Sequence, residues 1–138
     1  MILARWDAAE ERRAVMRLPP GADLRGGIED AFAAEGAGFG HVAACVGSLS
    51  AAAIRPAGRD DALVLAGDME IVALSGTLTP DGPHLHLAVA DADGRMTGGH
   101  LLPGCAVRTT AEIVLALSPA RLTRAHDPAT GYDELAAP

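Results

Sequence analysis

HLHLAVADADGRMTGGH, residues 84–100, holds three of the five histidines in the chain. How this stretch turns back on itself decides both the sheet and the site. His84 and His86 are two apart, which on a β-strand puts both rings on one face. His100 lies beyond the turn residues Ala92, Asp93 and Gly94, on the returning strand. A two-residue loop, Asp93-Gly94, pairs Ala92 with Arg95 and sets His86 opposite Leu101, so that His100 points to the other face. A three-residue loop with Gly94 in the left-handed conformation of a G1 bulge pairs Asp91 with Arg95 instead. His86 is then directly opposite His100, with His84 diagonal to it. This register also opposes Asp91 to Arg95, a favourable cross-strand charge pair, and it is the register adopted here. Gly98 and Gly99 admit a further bulge and leave room beside His100 for an ion and its solvent.

Three imidazoles on one face with a fourth position open is how a protein holds a zinc ion that still carries water. Zinc suits three neutral imidazoles; iron, nickel and copper also accept them. The plainer reading is three polar histidines on a wet sheet face or at a subunit seam. Asp81 and Glu112 are carboxylates near enough in sequence to supply a fourth ligand or to orient one, and the sequence favours neither. Glu70, in an otherwise apolar run, is by alternation a solvent-facing strand position, or else a carboxylate turned toward a pocket. Cys105 follows Pro103-Gly104 and starts the next strand. His41 opens a strand and is structural; His126 lies in a solvated tail. Ser75-Gly76-Thr77 reads as strand residues around a bulge glycine.

Working outward, the 138 residues suggest one domain, 1–138, with a core over about 13–124 and a tail over 125–138. Arg13 to Leu18 is a strand stopped by Pro19-Pro20-Gly21. Asp23 is a good N-cap for a helix whose Leu24, Ile28, Ala31 and Phe32 recur at helical spacing. Gly36 and Gly38 supply the stop. Gly26 and Gly27 weaken its first turn by about 1 kcal/mol each relative to alanine, tolerable where the helix packs tightly on a sheet. Strands follow from Gly40, with a bend near Gly47-Ser48. Arg59 to Ala66 is a connection with room for a short strand. Glu70–Thr79, His84–Asp91, Arg95–Leu102 and Ala106–Leu117 are further strands, with a last short one at Arg121–Arg124. The fold class is α+β: an antiparallel β-sheet of about seven strands with one main helix packed on it.

The apolar fraction is 49%, but only 3% of residues are aromatic, so the core is built from small aliphatic side chains. All eleven basic residues are arginine, and lysine, asparagine and glutamine are absent, a bias typical of GC-rich bacterial genomes. The net charge of −7 argues against non-specific nucleic-acid binding. Cys45 and Cys105 sit in apolar runs and read as small buried hydrophobes. The N-terminal stretch carries charges every few residues and resembles neither a signal peptide nor an anchor. No segment approaches membrane-spanning length, and the cytoplasm is the expected compartment.

The order of these segments resembles the PPC domain, the plant- and prokaryote-conserved domain. The resemblance covers roughly residues 13 to 135. It runs through the early strand, PPGADL before the helix, GSLSAA, GDMEIVALSGTLT, the HLH…DADGRMTGGHLLPG block, TTAE at 109–112 and RAHDPATGYDEL. It implies an antiparallel α+β fold, a homotrimer and, as in prokaryotic members, a metal site at His84, His86 and His100. Plant members join the domain to an AT-hook, a basic minor-groove segment. Arg55-Pro56 and Gly58-Arg59 do not replace one, and the GRFEIL-like partner segment of plant members is altered here to Gly67-Asp68-Met69-Glu70-Ile71-Val72. No direct nucleic-acid binding is therefore expected. Two functions follow: a trimeric binding or regulatory module for a small-molecule ligand, with a metal at the three histidines, or a small zinc-dependent hydrolase or lyase using Glu70 or Glu112 as general base.

Overall fold

The structure is a computed structural model describing residues 1–138. Its first strand, β1 (Arg12–Leu18), leads into the helix α1 (Leu24–Glu35). The Asp23 carboxylate caps α1 by accepting from the Gly26 amide at 2.8 Å, and Gly36 ends it in the left-handed conformation. Leu24, Ile28 and Phe32 form its buried face. Gly27 packs directly on the Leu18 side chain, which is why a weak helix former is kept there.

The remaining strands are β2 (Phe39–Arg55), β3 (Leu63–Thr79), β4 (Gly82–Ala90), β5 (Met96–Leu101), β6 (Val107–Ser118), β7 (Thr123–Asp127) and β8 (Tyr132–Ala136). All pairings are antiparallel, and the main sheet runs β1-β6-β2-β3-β4-β5. β2 runs continuously through the expected bend, with register shifts at Val42/Ala44 and Gly47/Leu49 against β6. Such irregularities bend a strand. The far end of β2 also pairs with β5, Ile54 with Leu101 and Arg55 with His100, so β2 to β5 close on one another. The core between sheet and helix is aliphatic: Leu49, Ile54, Leu85, Leu87, Leu101, Ile113, Leu115 and Leu117 are almost wholly buried.

Three elements differ from the sequence expectation. The connection at 59–66 contributes Leu63 to Ala66 to the start of a long β3 rather than a separate short strand. The last strand begins at Thr123, not Arg121. The tail is no tail: β7 and β8 form a hairpin paired from Thr123↔Ala136 to Asp127↔Tyr132. Its turn is held by the Asp127 carboxylate accepting from the Ala129 amide (2.8 Å) and by the Gly131 amide donating to the Asp127 carbonyl (2.7 Å). Both cysteines are free, Cys105 fully buried, and burial pushes the Cys45 thiol up to about 11. No helix is long and apolar enough to cross a membrane.

Candidate metal centre

The β4–β5 hairpin has the three-residue loop. The Gly94 amide donates to the Asp91 carbonyl (2.9 Å), the Asp91 amide to the Arg95 carbonyl (3.0 Å), and Gly94 has φ 76°. His86 consequently pairs with His100, and the register runs to Ala90↔Met96 without a shift. The supposed Asp91–Arg95 ion pair is absent. The Asp91 carboxylate instead accepts from the Asp93 and Arg95 amides, both at 2.9 Å, while the Arg95 guanidinium pairs with Asp93 at 2.7 Å. Asp91 holds the loop as a turn residue does. The room expected at Gly99 is filled: a Cβ there would lie 2.5 Å from the Arg55 carbonyl oxygen. This glycine lets β5 reach β2.

Alternation along β4 buries Leu85, Leu87 and Val89 and turns His84 and His86 outward. The ligand atoms of His84, His86 and His100 all lie within 4.8 Å of one another. The Nε2 atoms of His84 and His86 are 3.3 Å apart. Tetrahedral zinc with bonds of about 2.0–2.1 Å needs nitrogens about 3.3–3.4 Å apart, so one edge of the triangle already has that span. Partial burial, then the charges of His86 and Arg124, hold His84 below the usual histidine range. Burial, then the Arg55 guanidinium, push His100 down to about 4. Both rings are thus neutral near pH 7, the form that binds metal.

The cluster opens into a cleft of about 610 Å³. Its walls include Arg55 and residues of the β7–β8 hairpin: Arg124, Tyr132, Asp133 and Glu134. Sequence reasoning missed this wall. The signal was Asp127-Pro128-Ala129-Thr130-Gly131, turn residues between two short runs. The carboxylates singled out in the sequence lie elsewhere. Glu70 pairs with Ala90, four residues along β4 from His86, or about 13 Å. Glu112 is on β6, separated from β4 by β2 and β3, about 14 Å. Asp81 accepts from the Thr123 hydroxyl and from the Arg124 amide (3.1 Å), and these bonds hold its carboxyl below the usual range. Asp81 thus latches the hairpin over the cleft. Asp81→Ala is expected to speed amide exchange severalfold across residues 123–136 while leaving exchange in α1 unchanged, as hydrogen-exchange mass spectrometry would register.

An antiparallel sheet whose strands β2 to β5 close on one another, carrying one helix and an outward-facing imidazole triad, makes this a small β-rich domain. The chain belongs to the Plants and Prokaryotes Conserved (PCC) domain family, whose model matches residues 7–118. Over 121 residues it is 54% identical to the bifunctional protein GlmU of Synechococcus sp. strain JA-3-3Ab, covering 87% of this chain and 20% of that protein. The chain therefore spans about a fifth of the length of the curated relatives it matches. A hypothetical protein from Salmonella enterica has a structure of TM-score 0.87 at 40% identity, with 91% of each chain covered. A metal-containing protein from Archaeoglobus fulgidus gives TM-score 0.74 at 28% identity, covering 89% of this chain and 91% of that one.

Proposed function

We propose that this PCC domain is a homotrimeric module that binds zinc through His84, His86 and His100 and receives a small-molecule ligand in the adjoining cleft. The observation that carries the reading is the convergence of three imidazole nitrogens at the mouth of that cleft. The donor set fits: neutral imidazoles suit zinc, and a three-ligand set leaves a coordination position for water or ligand. The Archaeoglobus relative, described as metal-containing, supports a metal. That the Synechococcus relatives carry the same kind of segment within a protein about five times as long supports a module rather than a self-sufficient enzyme.

The trimer reading is supported by an apolar row on the outer sheet face. Val15, Val114 and Ala44 stand side by side across β1, β6 and β2, with exposed Val46 beside them. Burying such a row is favourable at about 25 cal/mol per Å². Light scattering of dilute protein is expected to give three times the 14.0 kDa chain mass. A monomer would reject the assembly and leave the metal reading intact.

The metal is tested by elemental analysis of protein purified without a histidine tag. One zinc per chain is expected, and none in the His84→Ala/His86→Ala/His100→Ala variant. Equal zinc in both would reject the site. The hydrolase or lyase reading must draw its base from the cleft, where Asp133 and Glu134, rather than Glu70 or Glu112, are present. Turnover of ester and amide substrates that disappears in Glu134→Gln or in Asp133→Asn would favour it.

A further inference from the structure

Two guanidinium groups bracket the histidine cluster, and the fold places each by backbone pairing. Arg55 is the β2 residue directly opposite His100, so the two side chains share a face. Thr77 is the β3 residue directly opposite His84. The Arg124 guanidinium seats on it, with Nη2 donating to the Thr77 hydroxyl at 3.1 Å and Nε to the Gly82 carbonyl at 3.0 Å. One arginine thus flanks the cluster on the β5 side and the other on the β3 side.

Neither arginine is in an ion pair, whereas six of the other nine arginines are. Within the cleft, Arg59 is paired with Asp61 and Asp133 faces His126 at 3.6 Å. The Arg55 guanidinium lies 5.5 Å from the Tyr132 ring centroid, over its face, and no hydrogen bond within the chain claims its donors. Stacking of this kind holds a guanidinium in place while leaving its in-plane N–H groups free. Two carboxylates, Asp133 and Glu134, also line the cleft, against the three guanidinium groups of Arg55, Arg59 and Arg124. In a chain of net charge −7, the lining thus carries one more arginine than carboxylate, and the two guanidinium groups outside any ion pair are the two that flank the histidines of this concave site.

We infer that the cleft binds a small organic oxyanion, a carboxylate or phosphate ester, whose charged group is held between Arg55 and Arg124 beside the three histidines. This rests on the ligand-receiving role proposed above and adds the chemistry of the ligand. Arginine presents a planar fork of donors that matches both oxyanions, and such charge-assisted bonds are stronger than neutral ones. A cation on the three imidazoles would add to the same field.

The test is calorimetric titration of inorganic phosphate and, separately, succinate into wild-type and Arg55→Gln protein, each in zinc-loaded and metal-free form. The wild type is expected to bind at least one of the two anions at one per chain in the millimolar range or tighter. The anion bound names the class of ligand. Arg55→Gln is expected to weaken that binding roughly tenfold or more with unchanged zinc content and melting temperature. Arg55→Lys, which keeps the charge and loses the fork, should recover part of it. Binding equal in wild type and Arg55→Gln, or no binding of either anion at millimolar concentration, would overturn the inference. Arg55-dependent binding to a protein that takes up no zinc would uphold the anion site and reject the metal. Zinc uptake with anion binding indifferent to Arg55 would do the reverse.

Discussion

Gly76→Ala is expected to cost about 3–5 kcal/mol, lowering the melting temperature by on the order of 10 °C or more. Gly76 sits in β3 opposite Leu85, between the residues that face His84 and His86. A Cβ at this position would lie 2.0 Å from the His84 carbonyl oxygen and 2.8 Å from the Leu85 Cα. Both are backbone atoms, so no side chain can swing aside. The backbone at Gly76 also has φ 141°, which an L side chain rarely adopts. Alanine must therefore either push β4 off β3 or change the local backbone. Gly67→Ala separates the two causes. It lies in the same strand with φ 122°, but nothing is within 4 Å of its added Cβ. It should show the conformational cost alone, about 1–2 kcal/mol. A thermal melt in which Gly76→Ala matches Gly67→Ala would mean that the β3–β4 approach is not as tight as described. The displaced segment carries two of the three imidazoles, so, on the proposed metal reading, zinc affinity should fall with stability in Gly76→Ala and stay unchanged in Gly67→Ala.

The contrast between these glycines bears on what a sequence can reveal. Gly76 was legible as a strand glycine, but the bulge expected at it is absent: Ser75, Gly76 and Thr77 pair in step with His86, Leu85 and His84, and the irregularity in β3 lies at Ile71/Ala73. That it faces the His84 carbonyl was not legible, because cross-strand approach depends on which strand becomes the neighbour. The β4–β5 hairpin was legible in detail because its information is local: Gly94 fixes the loop, the loop fixes the register, and the register places His86 against His100. The helix was legible for the same reason, from Asp23, the spacing of Leu24, Ile28 and Phe32, and Gly36. The wall of the cleft was not. β7 and β8 pair mainly with each other and bury little, so neither shows the hydrophobic alternation that marks a half-buried strand. Arg55 was legible as the end of a strand before Pro56, but its meeting with His100 was not, because that comes from the closure of β5 on β2, a contact between residues far apart in sequence. The chemistry-bearing histidines were thus visible from local pattern, and the charged groups around them became visible only with the tertiary fold.

Asp23→Ala is expected to cost about 2–3 kcal/mol, and the reason is that one carboxylate does two jobs. Its Oδ2 accepts from the Gly26 amide at 2.8 Å and caps α1; its Oδ1 accepts from the Gly104 amide at 2.7 Å and the Cys105 amide at 3.0 Å. An N-cap alone contributes about 1 kcal/mol. Hydrogen bonds to a charged acceptor contribute about 1.5–3 kcal/mol each when buried, and the half-exposed setting of the Gly104–Cys105 segment reduces that. The second job ties the start of the helix to the loop leaving β5, immediately after His100 and Leu101. In the same loop the Leu102 amide donates to the Ala53 carbonyl at 3.1 Å, and the Arg25 guanidinium donates to the Leu101 carbonyl at 3.3 Å. The first turn of α1 therefore buttresses the strand that carries His100. Asp23→Asn tells the two jobs apart. Asparagine caps helices as well as aspartate does but has a single acceptor oxygen, so its NH₂ must face either Gly26 or the Gly104–Cys105 amides. It should recover about half of the loss in a denaturant melt. If Asp23→Asn were as stable as the wild type, the bonds to Gly104 and Cys105 would contribute nothing. If Asp23→Ala left amide exchange at 101–106 unchanged, the helix would not be supporting the site.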